Sequence, residues 1–342
     1  MAFYCGLDLG ATHCQVCVIN DAMEVQVERK VRNELGQITE LLAQYDPAPQ
    51  CVVESTFNWY WLVDGLMEAG YEICLAHALG VRLISGAKVK TDRRDAFALA
   101  KLLRAGLIPQ AYIYPKATRP VRDLTRRRQR LVHLRGGEYV TIRRMLYQHG
   151  VLDHSRNKIK TLAEEEVTAY LEHPLVRVEA RQSCERIELY SQQIGELERR
   201  ILATVKDNTP FRRLLDVPGL GEILTITVYY ELGDVTRFKN VRQCSSYCRL
   251  VPGVAQSGAR ESRGRGSKQG NAYLKSAFTQ AAVQAVQWYP RIKRYFDRQF
   301  ARHRGRGRKL IAYDIVAHKL ACAVYHILRD GTEYQQTLLF GG

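Results

Sequence analysis

No uninterrupted apolar run in the sequence approaches the roughly 20 residues that a helix needs to cross a bilayer. The beginning of the chain also lacks the pattern of a secretory signal, because Asp8 and His13 interrupt its apolar stretch. These absences argue against a membrane-spanning or secreted protein, so we expect a soluble, cytoplasmic one. A length of 342 residues predicts two or three domains.

Paired metal-binding cysteines are missing as well. The nine cysteines include two close pairs, Cys14 with Cys17 and Cys244 with Cys248. Neither has a second pair at zinc spacing, so a structural zinc site is not expected. An odd number of cysteines in a cytoplasmic chain indicates reduced thiols rather than a disulfide framework.

Acidic residues are much scarcer than basic ones. The chain has 35 Asp and Glu against 51 Lys and Arg, which gives a formal net charge of +16. Such an excess attracts phosphate backbones and makes binding depend strongly on salt. The density of arginine is high in the segment 119–149, whose apolar residues recur at roughly helical intervals. We interpret this segment as a helix that contacts phosphates, through Arg126, Arg127, Arg128 and Arg130.

Four acidic residues border apolar segments instead of lying in solvated charge runs. Asp8 falls in Phe3–Asn20, which reads as two strands joined by a glycine-containing turn, and Glu54 ends a short buried strand. Asp92 and Asp95 open a helical stretch. Carboxylates that converge from such elements can hold two Mg²⁺ ions about 4 Å apart and stabilise phosphoryl transfer. The simpler alternative is that each is a turn or cap residue, with Asp92 as a helix N-cap.

The chain divides into three parts by pattern. Residues 1–115 alternate strand-like and helix-like segments, which predicts an α/β domain. Residues 116–209 form a basic helical part in which Ile187, Ile194 and Ile201 are spaced by heptads. That spacing is typical of a coiled coil or of a helical hairpin within one chain, and the sequence does not decide between them. Residues 210–342 form the third part.

The third part contains a tight turn between two apolar helical segments, in the string LLDVPGLGEILT. Gly219 and Gly221 in this turn permit a close approach of the backbone. In a helix-hairpin-helix, such glycines let backbone amides meet a DNA phosphate without reading the base sequence. The alternative is a plain turn that packs two helices together.

A glycine-rich basic stretch follows, QSGARESRGRGSKQGN at residues 256–271. It has no apolar residue larger than alanine, so we expect a flexible loop that becomes ordered on nucleic acid, or else a disordered surface loop. Its candidate phosphate contacts are Arg260, Arg263, Arg265 and Lys268. A second basic cluster, Arg298–Lys309, precedes the last predicted helix.

Taken together, these strings resemble a known family. They are GLDLGATH, VVESTFNWYW, VKTDRRDAFALAKLLR, LLDVPGLGEILT, LVPGVAQSG and GSKQGNAYLKSA, in that order along nearly the whole chain. The chain resembles the DEDD transposases of bacterial insertion sequences, relatives of the Piv-type DNA invertases. The resemblance implies an α/β ribonuclease H-like (RuvC-like) N-terminal domain, a helical or coiled-coil linker, and a mainly α C-terminal domain with a helix-hairpin-helix.

The resemblance also implies a chemistry. Its acidic tetrad corresponds to Asp8, Glu54, Asp92 and Asp95, which would hold Mg²⁺, and its serine corresponds to Ser257. This serine would attack DNA and form a transient phosphoserine link, so that strands are cut and rejoined without ATP. The family further implies DNA as substrate, a structured guide RNA as a probable partner, and an active homodimer or homotetramer.

Two other enzyme classes remain open at the level of sequence. The string after Asp8, Leu-Gly-Ala-Thr, departs from the small polar residue and lysine common in the family. It is similar to the phosphate loop of sugar kinases and actin-like ATPases, although no second glycine-rich phosphate loop is evident after residue 150. A Holliday-junction nuclease would use the same four acids by hydrolysis, without Ser257. A non-catalytic nucleic-acid-binding protein would leave the four acids without a role.

Overall fold

The computed structural model describes residues 1–85, 92–205, 208–251, 253–257, 260–264 and 269–341. For residues 253–257 and 260–264 the description is of the backbone alone. The chain forms two compact units, Met1–Lys116 and Ala117–Gly342. The division of the second unit at residue 209 stays a prediction from the sequence.

The first unit is built on a five-stranded mixed sheet. Its strands are β1 (Phe3–Leu9), β2 (His13–Asn20), β3 (Val25–Arg32), β4 (Gln50–Glu54) and β5 (Ile73–Ala76). They lie in the order β3-β2-β1-β4-β5. The first three strands are antiparallel neighbours, whereas β4 runs parallel to both β1 and β5. The α/β character expected of this part of the chain is confirmed.

Helices cover both faces of this sheet. They are α1 (Leu35–Leu42), α2 (Tyr60–Glu68), α3 (Ala78–Ser85) and α4 (Asp92–Arg104). Because successive side chains of a strand point to opposite faces, Leu7 and its alternate neighbours pack against α1 and α2. On the other face α4 crosses β1 at Gly6, where a β-carbon would lie 2.0 Å from the carbonyl oxygen of Ala96. Gly6 therefore allows α4 to approach the sheet closely.

The sequence patterns located most of these elements but not all. The two N-terminal strands, β4, β5 and the helices α1, α2 and α4 lie where they were expected, with somewhat different ends. Strand β3 and helix α3 were not predicted. The sequence of β3, VQVERKVR, is rich in charge because β3 is an edge strand and most of its side chains are exposed or half-buried.

The second unit is mainly helical. Its helices are α5 (Arg119–Gln148), α6 (Arg156–Ile159), α7 (Glu164–Ala169), α8 (Pro174–Ala203), α9 (Thr209–Leu214), α10 (Glu222–Leu232), α11 (Val241–Tyr247), α12 (Ala272–Trp288), α13 (Pro290–Arg302), α14 (Arg308–Asp330) and α15 (Gln336–Phe340). A 3₁₀ turn lies at Val235–Arg237. Two strands, β6 (Gly253–Ser257) and β7 (Arg260–Gly264), form an antiparallel pair. The helical C-terminal part is therefore as expected.

Helices α5 and α8 pack against each other inside the chain, each 30 residues long. Arg128 contacts Glu198 at one end of the pair, and Arg144 contacts Glu179 toward the other, so the helices run antiparallel. Ile194 and Ile201 are buried in the chain's own core. The heptad spacing therefore serves a helical hairpin, which is one of the two alternatives that the sequence left open.

Helix α14 is a candidate that the inspection of uninterrupted apolar runs did not single out. It has 23 residues and is long and apolar enough to cross a membrane, by length and composition alone. Charged residues such as Asp314 and Lys319 interrupt its sequence, which is why no single run looked long enough. Half of its most apolar window is buried within the protein. Leu320 and Val324, for example, lie in the core of the second unit.

The glycine-rich basic stretch also differs from its expected structure. A flexible loop was expected over residues 256–271, but β6 and β7 form a hairpin whose pairing reaches from Gly253 with Gly264 to Ser257 with Arg260. Backbone hydrogen bonds hold a β-hairpin together whatever the polarity of its side chains. A stretch without large apolar residues can therefore form a hairpin that its composition does not predict.

Candidate functional site

A row of polar side chains crosses the sheet of the first unit. Lys30 on β3 pairs with Gln15 on β2, and Gln15 pairs with Asp8 on β1. On the other side of β1, Leu7 pairs with Val53, so the next residues, Asp8 and Glu54, are neighbours on parallel strands. Adjacent strands lie about 4.8 Å apart, and side chains of paired residues share a face. Asp8 and Glu54 therefore project side by side.

Helix α4 lies on that same face, since Gly6 and Asp8 are two residues apart in β1. Both remaining acids of the predicted tetrad are in its first turn. Asp95 is half-buried, while Asp92 is exposed and lies 3.4 Å from Nζ of Lys30. Carboxylates at a helix N-terminus are stabilised by the helix dipole, so both positions also suit simple helix-end residues.

The four acids thus share one face of one sheet, but they do not form a metal cluster. Across the described part of the chain, no three carboxylate, imidazole or thiol groups are placed to hold one metal ion. Asp92 instead has Lys30 as a partner, through an ion pair whose side chains are 57 and 68% exposed. Lys30 was not among the residues singled out from the sequence, because only the strand register brings it to this row.

The thiols beside the row are protonated at neutral pH. Burial, together with the nearby charge of Asp8, raises the pKa of Cys14 to about 12. Burial likewise raises the pKa of Cys17 to about 11, with Glu28 adding to the effect. The two side chains belong to the cores on opposite faces of the sheet. A protonated thiol is a poor metal ligand and a poor nucleophile, so these cysteines act as small apolar residues.

Ser257, the predicted nucleophile, is the last residue of β6, where it pairs with Arg260. Arg263 lies in β7 opposite Val254. Both belong to the second unit. The other predicted contacts in this stretch, Arg265 and Lys268, lie outside the described residues, as does Gly258.

The segments on the two sides of the β6–β7 hairpin are joined to each other at the helical core. The backbone N–H of Asn271 donates to the carbonyl oxygen of Tyr247 at 2.6 Å, and Nε of Arg249 donates to the carbonyl oxygen of Gly270 at 2.9 Å. Gly270 has a φ of +96°, and a β-carbon there would lie 2.5 Å from the same Tyr247 oxygen. The two ends of the hairpin segment are thus fastened to each other.

A buried carboxylate connects these ends to the long helices. Glu231 on α10 is fully buried and accepts hydrogen bonds from Nε of Arg122 at 3.1 Å and from Nε of Arg126 at 2.5 Å. Nη2 of Arg126 donates as well, at 2.9 Å, and so does Nδ2 of Asn271, at 2.6 Å. The side-chain oxygen of Asn271 meanwhile accepts from the backbone amides of Tyr273 and Leu274 and so caps α12.

This network gives two of the predicted phosphate-binding arginines internal partners. Arg126 is bound to Glu231 and stacks over the ring of Tyr273 at 4.4 Å, and Arg128 pairs with Glu198. Arg127 and Arg130 are exposed. This division is not visible in the sequence, because Glu231 lies 105 positions from Arg126 and Glu198 lies 70 positions from Arg128.

The two glycines of the PGLG turn have different surroundings. Gly219 has a φ of +82°, and a β-carbon there would lie 2.0 Å from the carbonyl oxygen of Ala281 on α12. This glycine therefore packs the turn against a helix. Gly221 is the N-cap of α10, and a β-carbon there would meet nothing within 4 Å. Of the pair, Gly221 has the open backbone that contact with a phosphate needs.

Two models of protein families match parts of the chain. A model of the IS110-type DEDD transposases, described as "Transposase", matches residues 5–151. A second model, "Transposase IS116/IS110/IS902 family", matches residues 211–297. Together the two segments cover about two thirds of the chain.

Individual relatives agree with both models. A "Probable family 20 transposase" of Pseudomonas aeruginosa is 26% identical over 289 residues, which are 82% of this chain and 83% of the relative. The "Transposase for insertion sequence element IS1111A" of Coxiella burnetii is 26% identical over 302 residues, or 81% of this chain and 76% of the relative. The "Transposase for insertion sequence element IS1328" of Yersinia enterocolitica is 24% identical over 351 residues, or 97 and 98%.

These matches define the class of the protein as a transposase, an enzyme that cuts and rejoins DNA. Within that class the chain belongs to the IS110 family, and the family resemblance seen in the sequence is confirmed.

Proposed function

We propose that this transposase exchanges DNA strands through a covalent link between DNA and Ser257, with Asp8, Glu54, Asp92 and Asp95 as a Mg²⁺-binding tetrad. The observation that carries the proposal is the strand register, which sets Asp8 beside Glu54 on the face covered by α4. A sheet order of β3-β2-β1-β4-β5 with an added helix on this face supports a ribonuclease H-like, RuvC-like domain.

The residues present fit a divalent cation in part. Carboxylate oxygens are the ligands that Mg²⁺ prefers, and Asp8 with Glu54 offers two adjacent ones. Asp92 would have to exchange Lys30 for the cation. An exposed ion pair of this kind is worth only about 0–1 kcal/mol, so the exchange costs little. When bound, Mg²⁺ neutralises charge on a phosphate and stabilises the attacking and leaving oxygens.

The serine reaction conserves the energy of the phosphodiester. As Oγ of Ser257 forms a bond to phosphorus, one backbone P–O bond of the DNA breaks; the hydroxyl proton leaves Ser257 and the departing DNA oxygen takes up a proton. In the second step a hydroxyl of another DNA strand attacks the phosphoserine, which releases Ser257 and closes the new junction. No nucleotide cofactor is needed, because each bond broken is replaced by one of the same kind.

The acids and the serine belong to different units of the chain, so the reaction needs both to act on one phosphate. We propose that assembly of a homodimer or homotetramer on the DNA achieves this, within one chain or across subunits. We further propose a structured guide RNA as a partner in the cytoplasm, which would supply target specificity by base pairing. The proposed contacts to nucleic acid are Arg127, Arg130, the amide end at Gly221, Arg260, Arg263, Arg265 and Lys268.

A junction assay in cells tests the proposal. The gene and its flanking DNA are introduced as wild type, Asp8→Ala and Ser257→Ala, and rejoined DNA ends are amplified. Wild type should give junctions and both variants none. Glu40→Ala, an exposed acid on α1, and Ser262→Ala, a nearby serine in β7, are the matched controls and should retain activity.

The same assay distinguishes the second candidate, a metal-dependent nuclease of the Holliday-junction type. It is favoured by one observation, which is that the row of acids on the sheet involves no residue of the second unit. Junctions that persist in Ser257→Ala but disappear in Asp8→Ala would support a reaction without the serine. If Ser262→Ala lost activity while Ser257→Ala kept it, the nucleophile would be Ser262 and the assignment to Ser257 would be wrong.

A further inference from the structure

Helix α13 presents a stripe of arginines. Positions i, i+3, i+7 and i+11 of a helix share one face, and in α13 these positions are occupied by Arg291, Arg294, Arg298 and Arg302. The buried residues of the helix, Ile292 and Phe296, lie on another face and pack into the core. The stripe extends over roughly 16 Å at 1.5 Å per residue.

The charge continues beyond the end of the helix. Arg304 and Arg306, both exposed, lie in the short connection between α13 and α14. We refer to the four arginines of the stripe together with Arg304 and Arg306 as the basic ridge. The connection turns at Gly305, whose φ is +90°.

The ridge is poor in acidic partners. Within the described ranges, no carboxylate is within ion-pair distance of Arg294, Arg302 or Arg304. The acid on the same helix, Asp297, is paired with Lys293 at 2.5 Å. Arg298 also donates to the carbonyl oxygen of Phe340 at 3.2 Å. The arginines of the ridge outnumber the one acid of the helix, Asp297, so they repel each other. This costs free energy that binding to an anionic surface would recover.

We propose that the basic ridge is a docking surface for the sugar-phosphate backbone of duplex DNA, which it would hold without reading base sequence. The planar fork of arginine matches the geometry of phosphate oxygens, and a line of such forks fits a regularly spaced row of phosphates. The choice of DNA rests on the proposed function. The ridge adds to it a set of contact residues other than Ser257, the acidic row and the arginines of α5.

Salt-dependent binding tests the proposal on the full chain. The ridge variant carries Arg294→Ala, Arg302→Ala and Arg304→Ala. The control variant carries Arg144→Ala, Arg181→Ala and Arg200→Ala, which lowers the net charge equally but removes cations that are paired with glutamates. Binding to a labelled duplex of arbitrary sequence is followed by fluorescence anisotropy between about 50 and 200 mM NaCl. Thermal unfolding verifies that both variants are folded.

Each lost phosphate contact lowers the slope of log K against log salt by about 0.9, so the ridge variant should lose up to roughly 2.7 from the slope. Its affinity for DNA should fall by about tenfold or more at the lower salt concentrations, while the control stays close to wild type. Equal losses in both variants would show that only net charge matters and would overturn the proposal. So would a ridge variant that binds like wild type.

Two further arms separate DNA from other anionic partners. The same proteins are mixed with an RNA duplex and with vesicles that contain phosphatidylserine. A ridge variant that loses binding only to RNA, or only to vesicles, would overturn the assignment to DNA. If the wild type bound no duplex DNA, both the ridge and the proposed function would fall. If it bound DNA but Ser257→Ala still formed junctions, only the serine mechanism would fall.

Discussion

Helices α5 and α13 are both rich in arginine, yet they use it in opposite ways. In α5, Arg122 and Arg126 turn inward to the buried carboxylate of Glu231, and Arg128 pairs with Glu198. In α13, Arg294 and Arg302 are exposed and meet no carboxylate of the described structure, while Arg298 donates to the carbonyl oxygen of Phe340. The comparison shows that arginine density alone does not identify a nucleic-acid interface; the positions of the glutamates decide.

The largest effect should come from removing the buried carboxylate. In Glu231→Ala, Arg122 and Arg126 stay in the interior without the carboxylate that neutralises them. Such a loss typically lowers the free energy of unfolding by about 3–5 kcal/mol. Urea denaturation of the full chain measures it. Glu196→Ala, which removes the exposed partner of Arg200, is the matched control and should change stability by less than about 0.5 kcal/mol. Similar losses of stability in both variants would contradict the structural role of the buried ion pairs between Glu231 and the arginines of α5.

The next effect compares two neighbouring arginines in α5. Arg126→Ala breaks the ion pair with Glu231 and the stacking on Tyr273, so we expect a loss of about 2–3 kcal/mol. Arg127→Ala removes an exposed side chain and should stay within about 0.5 kcal/mol of wild type. Thermal unfolding of the two variants side by side gives the difference. A destabilised Arg127→Ala would show that the exposed side of α5 is structural too.

A smaller effect is expected for the pair formed by Arg128 and Glu198. Their side chains are 23 and 30% exposed, so solvent screens the attraction. A double-mutant cycle with Arg128→Ala and Glu198→Ala should give a coupling free energy of roughly 0.5–1 kcal/mol that decreases in high salt. A coupling free energy of several kcal/mol, or one independent of salt, would show that this pair behaves like the buried ion pairs of Glu231.

The smallest effect should be that of the ridge on stability. Arg294→Ala and Arg302→Ala remove exposed cations without an acidic partner, and each should change the free energy of unfolding by no more than about 0.5 kcal/mol. Because mutual repulsion is relieved, a slight stabilisation at low salt is the expected direction. Urea titrations at low and high salt would detect it. A large destabilisation would mean that these side chains hold α13 in place.

The sequence was informative where a pattern is local. Alternating apolar residues located β1 and β2, the short apolar run located β4, and helical spacing located α4, α5 and α8. The sequence was uninformative where the place of a residue depends on contacts with residues far away in the chain. Strand β3 has little apolar alternation to reveal it, and Lys30 reaches Asp92 only because the register of β3 on β2 brings it to the row of acids.

The candidate site, too, was predictable from the sequence only in part. The types of its acids and their places at strand and helix ends were evident from the sequence, and the register of β1 and β4 then set Asp8 beside Glu54. That Arg126 is an internal group could not be foreseen, since its partner Glu231 comes from α10 and is nowhere near it in sequence. Local propensity specifies elements, whereas the pairing of buried charges is a property of the assembled fold.

The fastening of Tyr247 to Asn271 and of Arg249 to Gly270 has a consequence for evolution. A segment whose two ends are tied together by the core can change its sequence and even its length at small cost, because the entropy of closing a loop grows only slowly with its length. Changes in the hairpin, outside Ser257 and its proposed phosphate contacts, should therefore leave the helices of the second unit folded. These two hydrogen bonds thus uncouple sequence changes in the hairpin from the stability of the helical core.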